Sequence, residues 1–325
     1  MASRKVINAV CTMATRECAE ELALFHRSFR TFHPALPLFV GCTTEMRDEA
    51  PQVMHDDAHV RWVSCLDGYG PSISRRAMER APGVWYATRH TDFMMEKANL
   101  MELAMRSTDT ATASASAAPT VAFLDCDVTL LQALPTVPMT ASVALSPHQM
   151  RSADESLFGR FNGGYVVASS PEVLWEWRRA TATSRYFDQA SLEHVADVFR
   201  ERNELHCLPA QHNYGFWRML QPQRGSAFDQ AKRFSIAPRA CPTAPTTDAL
   251  TIHYDEHPLC SLHTHFFLHG ANVPRDVRLF NDLLRRWIKT CAAAEAGSLQ
   301  NHAYAAALSH LLKPGKEPMN GDNHS

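Results

Sequence analysis

Apolar residues in the first hundred positions alternate between short continuous runs and single residues at helical spacing. Lys5–Met13 (KVINAVCTM) is the first run and predicts a buried strand. Leu22, Phe25, Phe29 and Phe32 follow three and four residues apart, on one face of a helix that Thr15 caps and Pro34 stops. Leu36–Cys42 is a second run and His59–Ser64 a third. Strand, helix and strand in quick succession make a βαβ unit, which argues for a parallel sheet. Leu66–Ala87 is rich in Gly, Pro, Ser and Arg and predicts a long surface loop. Asp92 then caps a helix running to Met105, with Met94, Ala98, Met101 and Met105 along one face and Lys97 beside that stripe.

Ser107–Ala118 (STDTATASASAA) reads as a flexible connector. Val121–Leu124 is an apolar strand that ends abruptly in Asp125-Cys126-Asp127. Val143–Leu145 is short and apolar, and a strand at Tyr165–Ala168 follows the turn-like Asn162-Gly163-Gly164. Ser170 and Pro171 open a helix as cap and first residue. Asp188 precedes a helix with Leu192, Val195 and Phe199 at core spacing and reads equally well as its cap or as a functional carboxylate. Leu208–Trp217 is a loop dense in ligand-recognising side chains, and Leu250–His269 holds a strand end at His253-Tyr254. Val277, Phe280, Leu284, Trp287 and Cys291 mark an amphipathic helix, residues 293–313 a C-terminal helix, and 314–325 a disordered tail. The order predicts an α/β fold in a single domain over residues 1–292, a mixed, mostly parallel Rossmann-type sheet flanked by helices.

Bulk composition narrows the classes. The chain has 325 residues, 45% hydrophobic and 20% charged, as expected of a globular protein with a sizeable core. A net charge of -2 provides no basic field for nucleic acid. No stretch suits a secretory signal or a transmembrane segment, so a cytoplasmic location is expected. The nine cysteines are scattered without a Cys-x-x-Cys, which fits free thiols in a reducing compartment.

The candidate chemistry centres on Asp125 and Asp127. Carboxylates at the carboxyl end of a buried parallel strand face the ligand crevice of an open α/β sheet. Two of them can hold Mg²⁺ or Mn²⁺, which in turn grips phosphates. Thr12 and Met13 end the first strand on the same edge, where a nucleotide base could rest. His263-x-His265 has a spacing that also suits zinc.

From Val6 to about His269 the chain resembles nucleotide-sugar glycosyltransferases of the A-type (GT-A) fold, the nucleotide-diphospho-sugar transferase group and its glycogenin-like relatives. The resemblance rests on ordered landmarks: Lys97 on a helix, Asp125-Cys126-Asp127, Asn162-Gly163-Gly164, Asp188-Gln189, the Leu208–Tyr214 segment and His253-Tyr254. The chain departs from the family in Asn162-Gly163-Gly164, where Asn-Ser-Gly or Asn-Ala-Gly is usual, and in lacking Gly-Lys-Pro-Trp after the late histidine. The resemblance implies a nucleotide-binding half over about residues 1–131 and an acceptor half over about 132–270. It implies Mn²⁺ or Mg²⁺ on Asp125, Asp127 and His253, with His263 and His265 as other candidates for the third ligand. It also implies a UDP- or GDP-sugar donor held by Thr12, Met13, Lys97, Asp125, Asn162, Gly163 and Gly164, and catalytic residues at Asp188 and Gln189. The acceptor, a glycan, protein or small molecule, stays unspecified, and retention of configuration is the implied outcome.

Two other readings stand beside it. Asp125-Cys126-Asp127-Val128-Thr129-Leu130 fits the Asp-x-Asp-x-Thr-Leu motif of haloacid-dehalogenase-type phosphatases, with Asp125 as nucleophile and Asp127 as acid/base. A later acidic pair for Mg²⁺ is then required, yet Asp56-Asp57 lies upstream. The third reading is a sugar-nucleotide-binding protein without turnover.

Overall fold

A computed structural model describes residues 3–70, 74–109, 118–215, 217–218, 233–238, 250–255 and 257–263. They fall into two compact units, the first running to Tyr214 and taking in Cys260–Leu262, the second comprising the rest. The helices expected beyond residue 270, the tail and His265 lie outside the described residues.

The first unit is built on a seven-stranded sheet. Its strands are β1 (Ala9–Met13), β2 (Leu38–Gly41), β3 (Val60–Val63), β4 (Val121–Leu124), β5 (Val143–Pro147), β6 (Phe161–Ala168) and β7 (Leu205–Cys207). They lie in the order β7-β5-β6-β4-β1-β2-β3. All neighbours are parallel except β6, which runs antiparallel to both β5 and β4. The expected mixed, mostly parallel α/β sheet is therefore present. β1 and β4 are buried on both faces, which is why they read as unbroken apolar runs. Cys11, Phe123 and Val166 pack on one side, with Met101, Trp177 and Phe199. Val10, Ala122, Leu124 and Tyr165 pack on the other, with Leu22, Phe25 and Phe29.

Four helices position the site: α1 (Ala19–Phe32), α2 (Arg75–Arg80), α3 (Arg89–Asp109) and α4 (Pro171–Thr181). Short helices at Phe187–Ala190 and Leu192–Glu201 follow. Several boundaries differ from the sequence expectation. Thr15 precedes a 3₁₀ turn, Arg16–Cys18, and its side chain makes no capping bond. The expected loop contains α2, which the pattern hides because only Met78 of its six residues is buried. Asp92 lies inside α3, and its carboxylate instead accepts the backbone N–H groups of Val84, Trp85 and Tyr86. Asn162-Gly163-Gly164 lies within β6 and forms no turn. Ser170 caps α4 as expected, accepting from the Glu172 N–H at 3.2 Å. No helix among the described residues is long and apolar enough to cross a membrane.

In the second unit, Phe234–Pro238, Leu250–Tyr254 and His257–Pro258 form a small antiparallel sheet.

Candidate active site

The chain leaves β1 toward β2 on one side and returns to β4 on the other, so β1 and β4 flank the switch point of the sheet. Open α/β folds bind ligands outside the carboxyl ends of the strands at such a point. A cavity of about 390 Å³ lies there, lined by Met13 at the end of β1, Asp125 after β4, Arg75 and Met78 of α2, and Phe93 and Lys97 of α3.

Lys97 is the hub. Read from sequence, a lone helix lysine is a solvated charge, yet this one is only 2% exposed. Its ammonium lies 3.2 Å from Asp125 Oδ1 and 3.2 Å from Asp188 Oδ2, and it donates to the Gly163 carbonyl at 3.2 Å. The ammonium thus faces two carboxylates as an ion pair and donates its hydrogen bond to the Gly163 carbonyl. The Phe123 ring adds a cation–π contact at 5.0 Å. Burial works to lower the Lys97 pKa, but Asp125 and Asp188 outweigh it and hold the group above its ordinary value. Burial pushes the Asp188 carboxyl up; Lys97 opposes this and Asp125 reinforces it, leaving the net shift upward. Asp188 is no helix cap: it sits buried inside its short helix. Its carbonyl accepts from Trp177 Nε1 at 2.7 Å and from Ser191 Oγ at 2.6 Å. Phe187 before it holds a left-handed φ of 42°. Such strain persists only where packing enforces it, and the Phe187 ring is set edge-on against His90 at 4.4 Å.

The paired glycines make room for these carboxylates. A Cβ on Gly164 would run into Asp125 Oδ2, and one on Gly163 would stand 2.7 Å from Asp188 Oδ2. The Gly164 carbonyl accepts from the Asp125 N–H at 2.9 Å. Asn162 is locked as well. The Gly164 N–H donates to its Oδ1 at 2.8 Å, which fixes the orientation of the amide. Nδ2 must then donate to His148 Nε2 at 3.1 Å. That nitrogen is therefore bare, and Nδ1 carries the proton toward the Gly159 carbonyl at 2.8 Å. Asn213 Nδ2 also donates to Asn162 Oδ1 at 3.2 Å. Gln189 joins the set, accepting from the Gly163 N–H at 3.3 Å and donating to the Phe158 carbonyl at 2.8 Å.

Lys97, Asp125, Asp188, Gln189, Asn162, Gly163 and Gly164 thus come together. Met13 reaches the cavity, whereas Thr12 is fully buried in β1 and does not line it. Asp127 is half-buried two residues beyond Asp125, directly before a strand at Val128–Leu130. The Leu208–Trp217 loop was expected to face a ligand, but Asn213 and Tyr214 are fully buried, so Asn213 braces Asn162 instead. Sequence reasoning missed His148, which carries no local signal, and the cavity-lining Arg75 and Phe93. In the second unit, His253 lies on the small antiparallel sheet opposite Ser235 and Pro258. His263 ends the Ser261–His263 strand, whose partner is Val128–Leu130.

No protein-family profile matches the chain, and no curated protein does. Among solved structures, it is similar to the galactosyltransferase LgtC in complex with donor and acceptor sugar analogues, at 14% identity and a TM-score of 0.45, over 95% of this chain and 98% of that one. Mouse xyloside xylosyltransferase 1 is similar at 12% identity and a TM-score of 0.42, over 83% and 100% of the two chains. The glycosyltransferase GlyE of Streptococcus pneumoniae is similar at 12% identity and a TM-score of 0.40, over 94% and 63%.

Proposed function

We propose that the chain is a metal-dependent glycosyltransferase that moves a sugar from a UDP- or GDP-sugar to an acceptor. The observation that carries this reading is the Lys97 cluster: two carboxylates from different elements fixed on one buried ammonium at the rim of a switch-point cavity. The cavity volume lies within the range of small-molecule sites and admits part of a nucleotide sugar.

Asp125 and Asp127 supply hard oxygen donors, which suit Mn²⁺ or Mg²⁺. A late histidine, His253, His263 or His265, would supply the third ligand. A divalent ion bound there would act as a Lewis acid on the leaving diphosphate. Lys97 holds the Asp125 carboxylate in place by an ion pair at 3.2 Å. Its ammonium adds a second positive charge beside the diphosphate. Met13 lines the nucleotide end of the cavity. The Asn162–Gly164 backbone and Asp188 border the sugar, and Gln189 fixes the Gly163 backbone beside it. Retention of configuration follows as the proposed outcome, since Asp188 is tied to Lys97 and is poorly placed to take a proton from an acceptor.

The phosphatase reading is not favoured. Asp57 of the only Asp-Asp pair is occupied by His26 at 2.8 Å and by Arg30. Burial opposes its charge, but those partners win and hold its carboxyl down at about 2. The test of function is release of nucleoside diphosphate from UDP-glucose, UDP-galactose and GDP-mannose with Mn²⁺, followed by proton NMR of the product. Turnover abolished in a folded Asp127→Asn variant is expected. Unchanged turnover in that variant removes the metal assignment, and an inverted product removes the retaining mechanism.

A further inference from the structure

The segment from Ser74 to Arg89 forms one wall of the cavity on its inner side, through Ser74, Arg75 and Met78. Its most exposed residues have a different character. α2 buries Met78, and Arg76 and Arg80, one turn apart, project from the opposite face and are exposed. Neither forms an ion pair among the described residues; the only acid of α2, Glu79, is taken by Arg75 at 2.7 Å. Immediately after α2, Pro82 and Thr88 bridge to make a tight loop. At its tip Val84 is 75% and Trp85 82% exposed. No aromatic or cationic side chain stacks on Trp85 among the described residues.

This loop is not loose. Three successive N–H groups, of Val84, Trp85 and Tyr86, donate to the single carboxylate of Asp92. A Cβ on Gly83 would stand 2.7 Å from the Thr88 carbonyl and 2.9 Å from Asp92 Oδ1, so the turn admits only glycine. An exposed Val-Trp pair on a pinned backbone costs little entropy to insert into an apolar phase. Tryptophan favours the membrane interface, and adjacent free guanidinium groups attract anionic headgroups. A sugar-stacking platform would use the indole face but would have no need of Val84.

We propose that the Val84–Trp85 tip and the Arg76/Arg80 face of α2 dock this protein on an anionic phospholipid surface, holding the cavity wall against the bilayer. The inference does not depend on the proposed transferase activity. The test is co-sedimentation of the full chain with vesicles of phosphatidylcholine alone and of phosphatidylcholine mixed with phosphatidylserine. Binding to the anionic vesicles only is expected. An Arg76→Gln/Arg80→Gln variant should bind roughly thirty-fold more weakly, from the usual value of one basic residue at a charged membrane applied twice. A Val84→Ser/Trp85→Ser variant should lose binding at least about ten-fold. Circular dichroism and thermal melting verify that both variants are folded. Equal sedimentation with both vesicle types, or either variant sedimenting like the parent, overturns the proposal.

Discussion

Replacing Lys97 with methionine keeps the stem of the side chain and removes the one charge that holds Asp125 and Asp188 together. Each contact at 3.2 Å corresponds to about 5 kcal/mol at an effective dielectric near 20. Desolvation of the ammonium and the mutual repulsion of the two carboxylates offset much of this. What remains on removing one partner of a buried charge cluster is about 3–5 kcal/mol. For a unit of this size that is a fall in Tm of roughly 6–20 °C. The pH dependence has a definite sign. The Asp188 pKa is already raised by burial, so its contribution to stability is present at low pH and lost as pH rises through its folded value. Without Lys97 that value moves further up, and the deficit of Lys97→Met should be smaller at pH 5 than at pH 8. Thermal melts at both pH values, in chelator so that no cation substitutes for the ammonium, measure this. Lys97→Met/Asp188→Asn removes both charges and should recover more than half of the loss. A deficit below about 1 kcal/mol, or one that the double variant does not relieve, refutes the assignment of Lys97 as hub.

Three further outcomes are expected. Gly164→Ala should leave the chain folded and weaken Mn²⁺-dependent nucleotide binding at least about ten-fold in calorimetry, because its methyl group displaces Asp125. His90 is held down at about 4, by burial first and then by Arg75, so its contribution to stability is present above the ordinary value of 6.5 and lost as pH falls through 4. The parent should therefore lose about 3 kcal/mol more than His90→Phe between pH 7 and pH 4 in urea titrations. Of His253→Ala, His263→Ala and His265→Ala, the one that removes the third ligand should raise the Mn²⁺ concentration needed for half-saturation at least about ten-fold, while the other two leave it unchanged.

Much of the fold was legible because strands buried on both faces leave continuous apolar runs, as β1 and β4 do. α2 was not, since a short helix that buries one methionine leaves no periodic signal. Asn162-Gly163-Gly164 looked like a turn because Gly-Gly is a turn signal. In β6 the same residues are required for the opposite reason: the missing side chains admit Asp125 and Asp188 against the strand. Lys97 and Asp188 were each ambiguous alone. A buried lysine is explained only by its partners, and those lie just after β4 and beyond α4, distant in sequence. The lock on Asn162 was the least legible part, since His148 and Asn213 reach it from separate loops.

Asp125 and Asp127 are proposed to bind a nucleoside diphosphate through a divalent ion. Calorimetric titration of UDP and of GDP into the protein, with and without Mn²⁺, tests it most directly. Binding of one nucleotide that requires Mn²⁺ and disappears in folded Asp127→Ala is the expected result. Failure of both nucleotides to bind in either condition, or binding that Asp127→Ala leaves intact, would contradict it.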